Sequence, residues 1–150
     1  MGNITRKQEN AKDCFICGMN NDKGLKAKFF ETENDELVVL FTPDSRYQGY
    51  PERLHGGIAA SILDETIGRC LQLKGADIWG VTVELNVKYH KPLPYGVELR
   101  GVCRITKDTR LLTDGTGEIY TPDGQIAVSA KAKYMKMPVS KISETHLQGD

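Results

Sequence analysis

His55-Gly56-Gly57-Ile58-Ala59-Ala60-Ser61-Ile62-Leu63-Asp64-Glu65 is the stretch on which the fold of this chain turns. From Ile58 to Leu73 the only Gly or Pro is Gly68, and apolar residues recur at 58, 59, 62, 63, 67, 70 and 71, close to the i, i+3, i+4, i+7 template. The spacing predicts a helix over 58–73, and no other segment predicts one convincingly. Two glycines at its mouth leave backbone N–H groups unshielded, and the first N–H groups of a helix have no intrahelical partner. Such a start can hold an anion or a developing oxyanion, although a Gly-Gly pair also serves simply to permit a tight turn.

Working outward, Leu25–Thr32 and Glu36–Thr42 read as a strand pair joined by a polar turn at Glu33–Asp35, and the Leu37–Phe41 run, apolar throughout, predicts a strand covered on both faces. Pro43–Leu54, with Pro43, Pro51 and Gly49, reads as a loop. Beyond the helix, Val81–Tyr89 alternates with period two and stops at Lys91-Pro92-Leu93-Pro94. Val97–Thr106 and Leu111–Thr121 follow, the second with a Gly115/Gly117 irregularity that suggests a bulge or bend. In Gln125–Met135 the residues Ile126, Val128, Ala130, Ala132 and Tyr134 share one face. One helix among six strands, the last four linked by turns, predicts an α+β fold with a mostly antiparallel sheet against the helix. A single domain over 1–150 is expected, with 1–13 and 138–150 as flexible ends.

Composition narrows the function classes. A chain of 150 residues can bury roughly 68–70% of its unfolded surface without staples. No apolar run approaches the roughly 18 residues of a membrane span, and the start MGNITRKQ has no apolar segment of a secretion signal, so a cytoplasmic protein is expected. Charge balances at 20 Lys+Arg against 20 Asp+Glu, and a pI near 6.8 argues against a nucleic-acid partner. The balance hides asymmetry. Residues 31–65 carry eight acids against Arg46 and Arg53, whereas 86–141 carry ten bases against five acids, which reads either as solvated strand faces or as a surface for an anionic, nucleotide-like ligand.

Cys14 and Cys17 form a C-x-x-C, but no second pair at metal-ligand spacing follows, and a zinc site would require Cys70 and Cys103 to converge on it. A turn packed by Phe15 and closed by Gly18 is the plainer reading; a thiol or zinc module is the alternative. Asp64 and Glu65 interrupt the apolar helix. A carboxylate is costly to bury there unless it is paired or used, and successive helix residues point about 100° apart, so only one of the two is expected to face a site.

The His-Gly-Gly with a carboxylate nine positions after the His resembles the hotdog-fold acyl-CoA thioesterases, in particular the PaaI-like branch of the phenylacetate pathway. The lead-in from Cys14 to Leu25, the loop Tyr47-Gln48-Gly49-Tyr50, the helix start and Val81–Tyr89 with Lys91-Pro92 are similar to that branch in the same order. The resemblance implies a long helix wrapped by a five- to six-stranded sheet, and subunits joined in a homodimer or a dimer of dimers. It implies Asp64 as the base or nucleophile, Gly56 or Gly57 as the N–H that polarises the thioester carbonyl, and His55 as the residue shaping that loop. Thr82 is implied beside the catalytic water, while Gln48 stands one position earlier than the loop residue it would replace. No metal or cofactor is implied beyond coenzyme A as part of the substrate. Lys88, His90, Lys91, Arg100 and Arg104, from the base-rich segment, are the candidates for the CoA phosphates. A hotdog dehydratase or hydratase and a non-catalytic acyl-CoA binder are the alternatives.

Helix geometry adds a constraint of its own. Asp64 lies seven to eight residues beyond the glycines, about 10–12 Å along the axis at 1.5 Å per residue, whereas reacting atoms must meet within about 3–3.5 Å. One chain therefore holds half a site, and a two-fold dimer would complete two.

Overall fold

The computed structural model describes residues 2–75 and 78–138. Seven strands form one antiparallel sheet: β1 (Ile4–Lys7), β2 (Lys28–Thr32), β3 (Leu37–Phe41), β4 (Ile78–Tyr89), β5 (Leu99–Asp108), β6 (Leu112–Tyr120) and β7 (Ile126–Pro138), in the order β1-β2-β3-β5-β6-β7-β4. Helix α1 (Gly56–Arg69) packs on one face, and the chain tightens into a 3-10 turn over Cys70–Gly75. The helix thus opens at the glycines, two residues before the predicted start at 58, and ends four residues before the predicted end at 73.

The strand beyond the expected five or six is β1. Its four residues, Ile4-Thr5-Arg6-Lys7, are all exposed, so no alternation of burial marks it in the sequence. Backbone pairing with β2 and the Arg6–Glu31 ion pair at 2.6 Å hold it as an edge. Within the segment read as a flexible lead, Gln8 is buried and its amide donates to Glu31. Residues 139–150, including His146 and Lys141, lie outside the described residues.

The core lies between α1 and the sheet: Ala59, Ile62, Leu63 and Ile67 on the helix face Leu37, Val39, Cys103, Ile119 and Val128. The helix sits close to β6 because β6 offers glycine. A Cβ on Gly115 would lie 2.5 Å from Ile67 Cγ2, and one on Gly117 would lie 2.3 Å from Cys103 Sγ. The glycines expected to mark a bulge therefore serve chiefly as seats for neighbouring side chains, although the β5–β6 register does shift opposite Gly115, between Ile105 and Lys107. Gly115→Ala is expected to destabilise the fold by about 1–3 kcal/mol, the usual cost of overpacking, read as a lower urea midpoint at unchanged m-value.

Two further departures have local causes. The β6–β7 register shifts between Ile119 and Tyr120, so Ala127 is buried and Ile126 is exposed, against the simple alternation. In β4 the register shifts between Thr82 and Glu84, leaving Val83 as an extra residue. The bulge reverses the parity of the strand. Leu85, Val87 and Tyr89 face the helix after it, and Thr82 faces the helix before it, although uninterrupted alternation would set Thr82 on the opposite face.

Candidate active site

Asp64 stands in the third turn of α1, half-buried. The bulge in β4 brings Thr82 to it, and the Thr82 hydroxyl donates to Asp64 Oδ1 at 2.8 Å. Tyr134, the register partner of Thr82 on β7, lies on the same face. Its single hydroxyl proton is shared between the Asp64 backbone carbonyl at 2.7 Å and Oδ1 at 3.1 Å. Oδ1 is thereby fixed by two donors, while Oδ2 has no partner among the described residues. A carboxylate held on one oxygen and free on the other is oriented to take a proton or attack a carbon. Tyr134 was visible in the sequence only as a core residue of β7. Its burial, and then the Asp64 charge, hold its phenol well above the ordinary tyrosine range, so it remains a donor.

A cavity of about 350 Å³ opens beside Asp64, walled by Trp79, Gly80, Thr82 and Tyr134 on one side and by Cys14, Cys17, Glu65 and Arg69 on the other. Asp64 and Glu65 both reach it, which corrects the expectation that only one would. The lead-in 9–17 wraps the Glu65 side of the helix as β4 and β7 wrap the Asp64 side, so one cavity spans both. Glu65 is nonetheless committed: its Oε2 accepts from Arg69 Nε at 2.8 Å, in an i,i+4 pair. Arg69 is itself 9% exposed and stacks on Phe29 at 4.2 Å. The Cys14–Cys17 turn is closed by Gly18, whose N–H donates to Cys14 O at 2.7 Å. Phe15 does not pack it, being exposed; Ile16 and Cys17 are the buried members.

The other end of α1 is built differently. His55 is the N-cap, and its Nδ1 accepts from the Gly57 N–H at 2.8 Å. That bond consumes the Gly57 donor and leaves the Gly56 N–H without a partner among the described residues. Tyr89 donates from its hydroxyl to Gly56 O at 2.7 Å, fixing the first helical peptide. A second cavity, of about 500 Å³, lies here, lined by Tyr50, Arg53, His55, Gly56, Tyr89, His90 and Lys91 among others. Neither cavity contains both Asp64 and Gly56, in keeping with the separation the helix rise requires.

The remaining sequence candidates divide. His90 and Lys91 line the Gly56 cavity, with Arg53, which sequence reasoning did not select. Lys88 is exposed on β4. Arg100 and Arg104 lie on β5, separated from β4 by β6 and β7, and Arg104 is held by Glu118 at 2.9 Å and Glu36 at 3.1 Å. Its charge is thus already matched. Gln48 lines neither cavity; its Oε1 accepts from Tyr95 at 3.2 Å.

Tyr134→Phe is expected to keep the fold and to lower any Asp64-dependent turnover about ten- to hundredfold, since a hydrogen bond to a charged group contributes about 1.5–3 kcal/mol. Steady-state kinetics beside a thermal melt separate the two effects.

Among the described residues, no helix is long and apolar enough to cross a membrane. The family model of the thioesterase superfamily matches residues 52–128, which include the helix start, Asp64 and β4. The chain is 37% identical over 68 residues to acyl-coenzyme A thioesterase THEM4 of Mus musculus, covering 45% of this chain and 28% of that protein. It is 33% identical over 66 residues to acyl-coenzyme A thioesterase THEM5 of Homo sapiens, covering 44% and 26%. The chain thus spans under a third of the length of these relatives. A solved thioesterase superfamily protein superposes with a TM-score of 0.76 at 26% identity, over 83% of this chain and 60% of the other. A Bacillus halodurans protein solved with CoA superposes with a TM-score of 0.61 at 25% identity, over 70% and 72%.

Proposed function

Since the chain belongs to the thioesterase superfamily, we propose that it hydrolyses an acyl-CoA thioester to the free acid and CoA. The observation that carries this reading is the Asp64 carboxylate, fixed on Oδ1 by Thr82 and Tyr134 with Oδ2 free beside a cavity. Asp64 activates water or attacks the thioester carbon; the Gly56 N–H polarises the carbonyl oxygen, strengthened by the helix start behind it. His55 acts by position, occupying the Gly57 N–H so that the first turn is held in one geometry. Relatives named as acyl-CoA thioesterases and a neighbour solved with CoA support the substrate class. The order of motifs from Cys14 to Pro92 favours the PaaI-like branch. Arg53, His90 and Lys91 are the side chains best placed for CoA phosphates.

The working unit is a homodimer joined through β4. This strand is the sheet's edge, runs 12 residues, and exposes Val81, Val83 and Tyr89 along its length. A long apolar edge is a template for pairing with another strand. An antiparallel two-fold pairing centred on Asn86, with Val83 again the extra residue, sets Thr82 opposite the partner's Tyr89. Because Thr82 touches Asp64 and Tyr89 touches Gly56, each Asp64 then meets the helix start of the other copy.

Incubation with short, medium, long and aryl acyl-CoAs and a thiol reagent tests the activity. Thiol release on at least one member is expected; tight binding without turnover across the panel would favour the non-catalytic binder instead. Sedimentation at the mass of two or four chains is the corresponding expectation for assembly.

A further inference from the structure

We propose that Cys14, Cys17 and Glu65 form a site for a soft divalent cation, zinc foremost, with its fourth coordination position open to the Asp64 cavity. The two Sγ atoms and a Glu65 carboxylate oxygen all lie within 4.8 Å of one another. A tetrahedral zinc with Zn–S of about 2.3 Å sets its sulfur ligands about 3.8 Å apart, so side-chain rotation has at most about 1 Å to close. Thiolates with one carboxylate suit such an ion better than a hard one. Cys17 is buried, Cys14 and Glu65 are half-buried, and all three line the cavity beside Asp64.

The surroundings are those a thiolate site requires. The C-x-x-C turn is pinned at Gly18, where a Cβ would fall 2.4 Å from Cys14 N. The Ile16 N–H points at Cys14 Sγ at 3.4 Å, and Leu25 and Ala27 donate to the Phe15 and Ile16 carbonyls at 2.9 and 2.8 Å. Arg69 supplies an outer shell to two of the three ligands, donating from Nη2 to Cys17 Sγ at 2.8 Å and from Nε to Glu65 at 2.8 Å. Charge closes as well: two thiolates and a carboxylate balance one dication and one guanidinium. The second cysteine pair demanded by the sequence spacing is not needed, because the helix brings Glu65 to the turn; Cys70 and Cys103 are buried in the core instead.

The reduced, metal-stripped protein titrated with Co²⁺ tests the site by its spectrum. The expected result is one Co²⁺ per chain with a thiolate-to-cobalt charge-transfer band and strong tetrahedral d–d bands, bleached by equimolar Zn²⁺. The Cys14→Ser, Cys17→Ser double variant loses the charge-transfer band, and Glu65→Gln keeps it with affinity at least about tenfold weaker. Should the double variant fail to fold, reversible thiomethylation of the wild-type chain abolishes the band, and reduction restores it. Absence of stoichiometric binding, binding without charge transfer, or a band that persists in the modified chain would overturn the site. Since none of these readouts is hydrolysis, their failure is distinguishable from failure of the thioesterase reading.

Discussion

Asp64→Asn is expected to lower kcat/KM for acyl-CoA hydrolysis by at least about 10²-fold while leaving the assembly intact. A positioned base contributes about 10²–10⁴, and a nucleophile whose loss removes the covalent route contributes no less. Asparagine retains an oxygen for the Thr82 and Tyr134 hydroxyls, so the side chain keeps its place and loses only its capacity to take a proton or attack. Glu65→Gln provides the contrast. That carboxylate serves Arg69, so its loss falls mainly on stability, with a far smaller drop in turnover. Equal activity of Asp64→Asn and wild type across an acyl-CoA panel would exclude Asp64 from the chemistry.

Gly56→Pro is expected to lower kcat by about 10²–10³-fold, the usual cost of losing one oxyanion donor. The substitution isolates the N–H. Gly56 is the first helical residue, where proline is tolerated, and His55 before it is extended at φ −62° and ψ 134°, as a residue preceding proline prefers. A Cβ there meets the Tyr89 ring at 3.2 Å, so Gly56→Ala, which keeps the N–H, controls for crowding and should be much milder. If alanine and proline are equally damaging, packing against Tyr89 is what matters, and the N–H has no role.

Most of the architecture was legible because burial follows period. The helix face of Ala59, Ile62, Leu63 and Ile67 and the apolar β3 run both register as pattern. What was not legible breaks period or lacks it. β1 has four exposed residues and is held by pairing alone. The single extra residue at Val83 decides which face Thr82 occupies, and alternation read along 81–89 gives the opposite answer. Thr82 entered the candidate site through family resemblance, not through its strand pattern. Tyr134 was missed for a related reason, since a buried aromatic on a core face reads as packing until a register partner shows where its hydroxyl ends. The choice between Gly56 and Gly57 likewise required knowing where the His55 ring turns. Arg100 and Arg104 looked available as basic residues, but strand order set them on β5, where they line neither the Asp64 nor the Gly56 cavity.

On the proposed reading, each active site takes Asp64 from one chain and the Gly56 N–H from another. Co-expression of Asp64→Asn and Gly56→Pro chains under separate tags, with isolation of the mixed dimer, tests it most directly. Each mixed dimer would hold one site with both groups intact and one with neither, so activity should return to about half that of wild type per dimer, from two nearly inactive parents. A mixed dimer as inactive as its parents would contradict the shared site and place both groups' work within a single chain.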